Sequence, residues 1–322
     1  MKRMKAAILH QLGTLPQYED FAEPVPVGEE QVLINVTAAS VKQLDKIKAA
    51  GKHYTSYPHL PITVGVDGVG VLEDGKRIYA MGISGMIAEK ALVGRGRWTL
   101  IPDGLSDAEA AALPNALMGA AMALTYRAQI KKGDVVLVNG ATGVTGSMAV
   151  QVAKYYGASW VIATGRNKNS LTRLLSMGAD DIIELGSEED VIIDKLRAAH
   201  SSTPVNIVID YLWGKPVELI LKAFQSSPSN HVKLVTVGEM AGANISLSSG
   251  ILRSAQIEIL GSGIGSISME QAGQFMKQSL PEMFSLAAEG KIKIEVETMP
   301  LTEVSTAWEK EPAPGKRMVI LI

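Results

Sequence analysis

The run Val135-Val136-Leu137-Val138-Asn139-Gly140-Ala141-Thr142-Gly143-Val144-Thr145-Gly146 decides how this chain folds. Its first four residues are aliphatic with no polar break, the pattern of a strand buried on both faces of a parallel sheet. Glycines crowd the turn that follows. From Ser147 to Tyr156 the residues Met148, Val152 and Tyr155 then recur at helical spacing. Strand, glycine turn and helix in that order suit a dinucleotide. The glycines let backbone approach a pyrophosphate, and the helix N-terminus offers free N–H groups and the positive end of its dipole. The pattern predicts cofactor contacts from Gly140, Ala141, Thr142, Gly143, Val144, Thr145 and Gly146.

Reading outward, a second strand at 160–163 ends about 20 residues after the turn, where the ribose of such a cofactor lies. An acid at that point would accept from the ribose 2′-OH of NAD. Here the residues are Thr164-Gly165-Arg166-Asn167-Lys168, and no acid follows until Asp180. Arg166 offers a forked contact and Lys168 a point charge to a 2′-phosphate, so the expected cofactor is NADP(H), with Thr164 and Gly165 beside it. A helix at 170–177 stops at Gly178, and strands follow at 206–210, 233–237 and 257–260. Five strands interleaved with helices predict an α/β fold with a Rossmann-type, doubly wound parallel sheet. Val237 and Gly238, and Leu260, Gly261 and Ser262, end consecutive strands and are expected on the nicotinamide side of the ligand edge.

The N-terminal half reads differently. Short strands at 31–36, 77–80 and 87–93 lie among glycines at 65, 68, 70, 75, 82, 85, 94 and 96, as in a barrel-like β domain. Ser106 with acids behind it marks a helix start. After the sheet, a helix at 269–289, a short helix at 304–309 and a strand at 318–322 are expected to return to the β domain, making it discontinuous. The 322 residues allow two domains of roughly 150 each. With 31 basic against 33 acidic residues the net charge is −2, which supplies no basic excess for nucleic acid. Zero cysteines exclude disulfides, thiolate catalysis and Cys-ligated metals. The apolar run at 6–9 is too short for a signal peptide, and that at 110–124 is interrupted by Pro114, so no membrane segment and a cytoplasmic location are expected.

Five further segments carry a resemblance. They are Ala39-Ser40-Val41-Lys42-Gln43-Leu44-Asp45, Leu60-Pro61-Ile62-Thr63-Val64-Gly65-Val66-Asp67-Gly68-Val69-Gly70, Ala111-Ala112-Leu113-Pro114, the stretch from Lys132 to Gly143, and Gly315-Lys316. In that order and spacing the chain resembles the medium-chain dehydrogenase/reductase superfamily, in its zinc-free quinone oxidoreductase-like branch. The resemblance implies a GroES-like, mostly β catalytic domain at 1–118 with 263–322, and a Rossmann domain at 119–262. Zinc-dependent relatives place a Cys where Lys42 stands, a His-Glu pair at Val66-Asp67 and another Cys near Asn115. Lysine and valine are not zinc ligands, so no metal is expected. The implied activity is NADPH-dependent, zinc-independent hydride transfer to a small-molecule acceptor, a quinone or an α,β-unsaturated carbonyl. The alternatives are a reductase of another carbonyl or acyl thioester, and a non-catalytic NADPH-binding sensor. Tyr54 approximates a tyrosine that lines the cleft in this branch, and Lys42 reads either as a cation that contacts the cofactor or polarises a substrate carbonyl, or as a solvated lysine at the end of a strand; these two are the candidate catalytic residues. Asp45 and Asp67 are carboxylates without an assigned role. The branch's usual Thr-Ala-Tyr or Thr-Ala-Trp is replaced by Gly119-Ala120-Ala121, and an aromatic near the 2′-phosphate by Leu185. A homodimer joined through 256–262 is expected.

Overall fold

The computed structural model describes residues 2–53, 56–57, 59–225 and 230–322. The chain divides into two compact units, Met1–Pro114 with Met276–Ile322, and Asn115–Phe275. The first unit contains β1 (Arg3–Leu9), β2 (Gln17–Ala22), β3 (Gln31–Val41), α1 (Gln43–Ala49), β4 (Ile62–Thr63), β5 (Asp67–Val71), β6 (Arg77–Gly82) and β7 (Lys90–Leu100). β3 shows why it forms: Ile34, Val36 and Ala38 are buried while Asn35 between them is exposed, the period of two that a half-buried strand demands. The strand expected at 87–93 instead runs from Lys90 to Leu100. Its first half pairs with β3 and its second half with β6, so one long strand serves two antiparallel ladders. α2 (Asp107–Met122) begins at Ser106, whose hydroxyl accepts from the Glu109 amide at 3.2 Å while the Glu109 carboxylate accepts from the Ser106 amide. The division between the units falls within this helix.

In the second unit a π-helical turn at Ala123–Ala128 follows α2. There β8 (Val135–Asn139), α3 (Val144–Tyr155), β9 (Trp160–Gly165), α4 (Lys168–Leu175), β10 (Asp181–Glu184), α5 (Glu189–Ser202), β11 (Ile207–Asp210), α6 (Gly214–Phe224), β12 (Val232–Thr236), α7 (Ser249–Ser254) and β13 (Ile257–Gly261) alternate. The strands form one parallel sheet in the order β10-β9-β8-β11-β12-β13. Every residue of β8 is buried, as its unbroken apolar run requires. The strand order reverses at β8, which places a topological switch point at its carboxyl end. β10 is a sixth strand beyond the five read from sequence. Its two acids in four residues give no strand pattern, and its pairing with β9 supplies the order that local propensity lacks.

The expected helix at 269–289 is α8 (Met269–Gln274), a π turn at Phe275–Ser279 and α9 (Leu280–Ala288) in succession. β14 (Glu295–Pro300), α10 (Val304–Glu309) and β15 (Lys316–Leu321) complete the chain. β15 pairs antiparallel with β3, Met318 opposite Val41, so the tail does return to the first unit. The resulting sheet is ordered β14-β15-β3-β5-β6-β7. Each unit has its own apolar core. The first is built on Leu9, Ile34, Val64, Ile87, Trp308 and Ile320, the second on Leu137, Ile162, Val208, Ile220, Phe224 and Leu234.

Candidate active site

In the second unit the glycine turn carries the geometry its spacing predicts. Gly140 turns the chain at φ +83°, a conformation costly for any residue with a Cβ. A Cβ on Gly146 would run into the Gly140 carbonyl and lie 2.7 Å from the Ala141 Cα, so only glycine lets α3 pack this closely on the turn. Gly143 N-caps α3 without a side-chain cap. The first-turn amides of Val144, Thr145 and Gly146 therefore lie outside the helix's own ladder. Around a Gly143 Cβ the space is open, with only the Gly140 carbonyl at 3.8 Å. Free amides, a helix dipole and open space together fit a pyrophosphate. Ala141 is fastened to the neighbouring strand, its amide donating to the Thr164 carbonyl at 2.8 Å.

A buried polar network locks the carboxyl ends of β9, β8 and β11 in register. The Thr164 hydroxyl donates to Asn139 Oδ1 at 2.7 Å, and Asn139 Nδ2 donates to Asp210 Oδ1 at 2.8 Å. Asp210 also accepts from the amides of Leu212 at 3.0 Å and Trp213 at 3.1 Å. Burial pushes the Asp210 carboxyl above the usual carboxylate range, although these donors pull it the other way. Asn139 and Asp210 escaped the sequence reading. Their signal was a polar residue ending an otherwise apolar strand, twice, at positions the parallel register makes neighbours.

Trp213 has φ +52° and ψ −157°, a strained backbone for a residue with a Cβ, costing about 1–3 kcal/mol. The zip of backbone bonds around it holds the turn: Val237 N donates to the Asp210 carbonyl at 2.7 Å and Ala241 N to the Leu212 carbonyl at 2.7 Å. Beside it an open groove of about 510 Å³ is lined by Trp213, Val237, Gly238, Gly261 and Ser262 among others. Four of the five residues expected on the nicotinamide side thus share one groove; Leu260 precedes it on β13.

Arg166 and Lys168 are exposed where β9 gives way to α4, with Asn167 Oδ1 capping the helix by accepting from Ser170 N at 2.9 Å. The parallel register also brings Glu184 level with Gly165. A carboxylate remote in sequence thereby stands at the carboxyl end of β9, which linear spacing does not reveal. At Gly119 a Cβ would lie 3.0 Å from Thr145 Cγ2 and 3.9 Å from Val237 Cγ1, so a side chain there needs Thr145 to shift by a few tenths of an ångström.

In the first unit Lys42 follows β3 and occupies the N-cap of α1, with only 1% of its surface exposed. Its Nζ donates to Asp67 Oδ1 at 2.7 Å, to the Ser40 carbonyl at 3.0 Å and to Ser40 Oγ at 3.2 Å, and lies 3.1 Å from Asp45 Oδ2. Asp45, on the first turn of α1, accepts in addition from the amides of Lys42 at 3.0 Å and Val66 at 2.9 Å. Burial alone pushes the Lys42 ammonium toward neutrality, but Asp45 and Asp67 outweigh it and hold its pKa above the ordinary 10.5. Burial, and then the neighbouring Asp67 charge, also raise the Tyr79 hydroxyl well above the usual tyrosine range. Lys42 is therefore a saturated ion-pair centre, and the carboxylates left without a role are its partners. The position of zinc-dependent relatives' Glu, Asp67, here holds an ammonium, and the donor set does not fit zinc. Among the described residues no group of three or more His, Cys, Asp or Glu is arranged to hold a metal ion. Tyr54 lies outside the described residues.

A family model described as zinc-binding dehydrogenase matches residues 144–278, which excludes Lys42, Asp45 and Asp67. The human quinone oxidoreductase is 31% identical over 66% of this chain and 67% of its own length. The chain belongs to the quinone oxidoreductase-like family of medium-chain dehydrogenases/reductases. A probable NADPH-dependent quinone reductase of Emericella nidulans is 27% identical across 95% of this quinone oxidoreductase-like chain and 96% of its own. The Thermus thermophilus quinone oxidoreductase, whose structure was also solved in complex with NADPH, shares 27% identity and superimposes with a TM-score of 0.79, covering 99% of this chain and 100% of that one. A probable oxidoreductase from Mycobacterium abscessus gives 0.82 at 25% identity, with 100% and 99% covered. As a member of this family the protein is an oxidoreductase.

Proposed function

We propose that this oxidoreductase uses NADPH to reduce a quinone or an α,β-unsaturated carbonyl without a metal. The observation that carries the reading is the uncapped start of α3 on an open glycine turn, with Arg166 and Lys168 exposed at the end of the adjacent strand. Bound NADPH supplies the hydride. The amides from Val144 to Gly146 hold the pyrophosphate, and Thr142 and Gly165 flank it. Arg166 and Lys168 grip the 2′-phosphate. The nicotinamide end lies along Val237, Gly238, Leu260, Gly261 and Ser262. The names of the fungal and thermophile relatives support the cofactor, and those of all three relatives support a quinone as acceptor.

Metal independence rests on the chemistry of the donor set. Lys42 places a fixed positive charge between Asp45 and Asp67, which repels a second cation, and Val66 offers no ligand. An acceptor that spreads charge along a conjugated system needs less polarisation than a simple ketone, which fits a site of this kind. Within the first unit the donors of Lys42 are already engaged by Asp67, Ser40 and Asp45. Tyr54 is proposed to touch the acceptor. Two copies are proposed to pair through β13, an edge strand bonded to β12 whose Ile257 and Ile259 are only half-buried. No helix among the described residues is long and apolar enough to cross a membrane.

The test is Arg166→Ala. Loss of a charge-assisted contact worth about 1.5–3 kcal/mol predicts NADPH affinity falling on the order of tenfold or more, with NADH affinity unchanged. An unaltered NADPH-to-NADH preference removes Arg166 as the selector. NADPH consumption is then followed over quinone and enone panels. Tight binding with no turnover on any acceptor defeats the reductase reading.

A further inference from the structure

We infer that Trp213 is the aromatic wall of the nicotinamide subsite and a determinant of cofactor affinity. The inference rests on the dinucleotide reading above and adds a residue on a strand end that the glycine motif does not reach.

The topology sets the direction. If the 2′-phosphate lies at Arg166, after β9, the pyrophosphate crosses the switch point at β8 and the other half of the cofactor runs over β11, β12 and β13. The loop that leaves β11 carries Trp213 into the groove shared with Val237, Gly238, Gly261 and Ser262. Trp213 is half-buried, packs against the apolar core of this unit and at the same time lines the groove. Trp160, a second tryptophan of this unit, begins β9 and so lies at the opposite end of the sheet from the ligand edge.

A second observation is independent of the groove. Trp213 keeps φ +52°, although a glycine would adopt that conformation without cost. The turn is over-determined around it. Asp210, fully buried, accepts from the amides of both Leu212 and Trp213, while Asn139 fixes Asp210 from the strand that carries the glycine turn. Backbone strain maintained by a buried network, at a groove edge, belongs to sites that hold a ligand in place. A planar indole there offers a face to a planar nicotinamide ring, and the same network couples its position to the pyrophosphate turn.

The experiment measures binding of NADPH, 2′,5′-ADP and reduced nicotinamide mononucleotide to wild type, Trp213→Phe and Trp213→Ala by calorimetry. Tryptophan emission is recorded with saturating NADP⁺. Trp213→Ala is expected to weaken NADPH and the mononucleotide about fivefold to tenfold, the range of an aromatic stacking contact. Trp213→Phe should stay within about threefold, and 2′,5′-ADP affinity should be the same in all three proteins. The emission quenched by NADP⁺ in wild type should be largely absent in Trp213→Phe, a variant that preserves the ring's packing. Equal NADPH affinity in wild type and Trp213→Ala, or unchanged quenching in Trp213→Phe, overturns the inference alone. A matching loss for 2′,5′-ADP also overturns it, because the residue then acts through the fold. Failure of wild type to bind either NADPH or 2′,5′-ADP overturns the cofactor reading and this inference with it.

Discussion

Lys42 carries a full charge into a place where 1% of its surface meets solvent, and three side chains compensate it. Removing the ammonium strands Asp45 and Asp67 as buried carboxylates without the ion pairs that compensate them. Lys42→Met should therefore cost about 3–5 kcal/mol, read from urea denaturation at pH 7. The pH dependence has a definite sign. Because the folded pKa is raised, the stabilisation is fully present below the ordinary lysine value of 10.5 and is lost as pH climbs through the folded value. Wild type and Lys42→Met should stay apart through neutral pH and converge only in strong alkali. Convergence near neutrality would show that the ammonium is not held this way. From sequence, Lys42 reads as a cation for the cofactor or a substrate carbonyl, or as a solvated lysine. Its saturation was illegible there because Asp67 is 25 residues away, on a different strand.

At the scale of elements, the unit β8–turn–α3 is legible and self-consistent. Aliphatic run, glycines and helical period all act within the stretch Val135–Tyr155, and the structure keeps all three. Its tightest constraint is Gly146. A methyl at that position meets the Gly140 carbonyl and the Ala141 Cα, which are backbone and cannot swing aside. Gly146→Ala should lower stability by about 1–3 kcal/mol and weaken NADPH at the same time, since α3 must retreat from the turn that positions its amides. Calorimetric binding and a melting curve on one sample check both; unchanged values in both would mean that the helix already has room. β10 shows the opposite case. Four residues with two acids carry no strand signal, yet they form the sheet's edge and bring Glu184 beside Gly165. Tertiary pairing overrode weak local propensity.

Across the whole molecule, acid sensitivity offers a readout of one buried group. His200 is buried, stacks on Phe224 with ring centroids 4.0 Å apart, and accepts from the Val205 amide through Nδ1 at 3.0 Å. Burial lowers its pKa from the ordinary 6.5. Its contribution is present above 6.5 and is lost as pH falls from there through the folded value, because the unfolded chain binds the proton first. His200→Asn cannot titrate. The stability advantage of wild type over this variant, measured by urea denaturation, should shrink between pH 7.5 and pH 5. An advantage constant with pH would contradict the assignment.

The sequence by itself determined the two-part organisation, the parallel sheet, the glycine turn and the two cations at the end of β9. Each is written in periodicity, turn chemistry or charge over a short stretch, and local physics reads such stretches. Only the tertiary structure decided that Lys42 is neutralised by Asp45 and Asp67, that Gly119 lies against Thr145, and that Asn139 and Asp210 pair across 71 residues to brace Trp213. Those contacts depend on strand order and register. Sheet pairing chooses among distant segments by the core they bury together, and no short stretch of chain carries that choice.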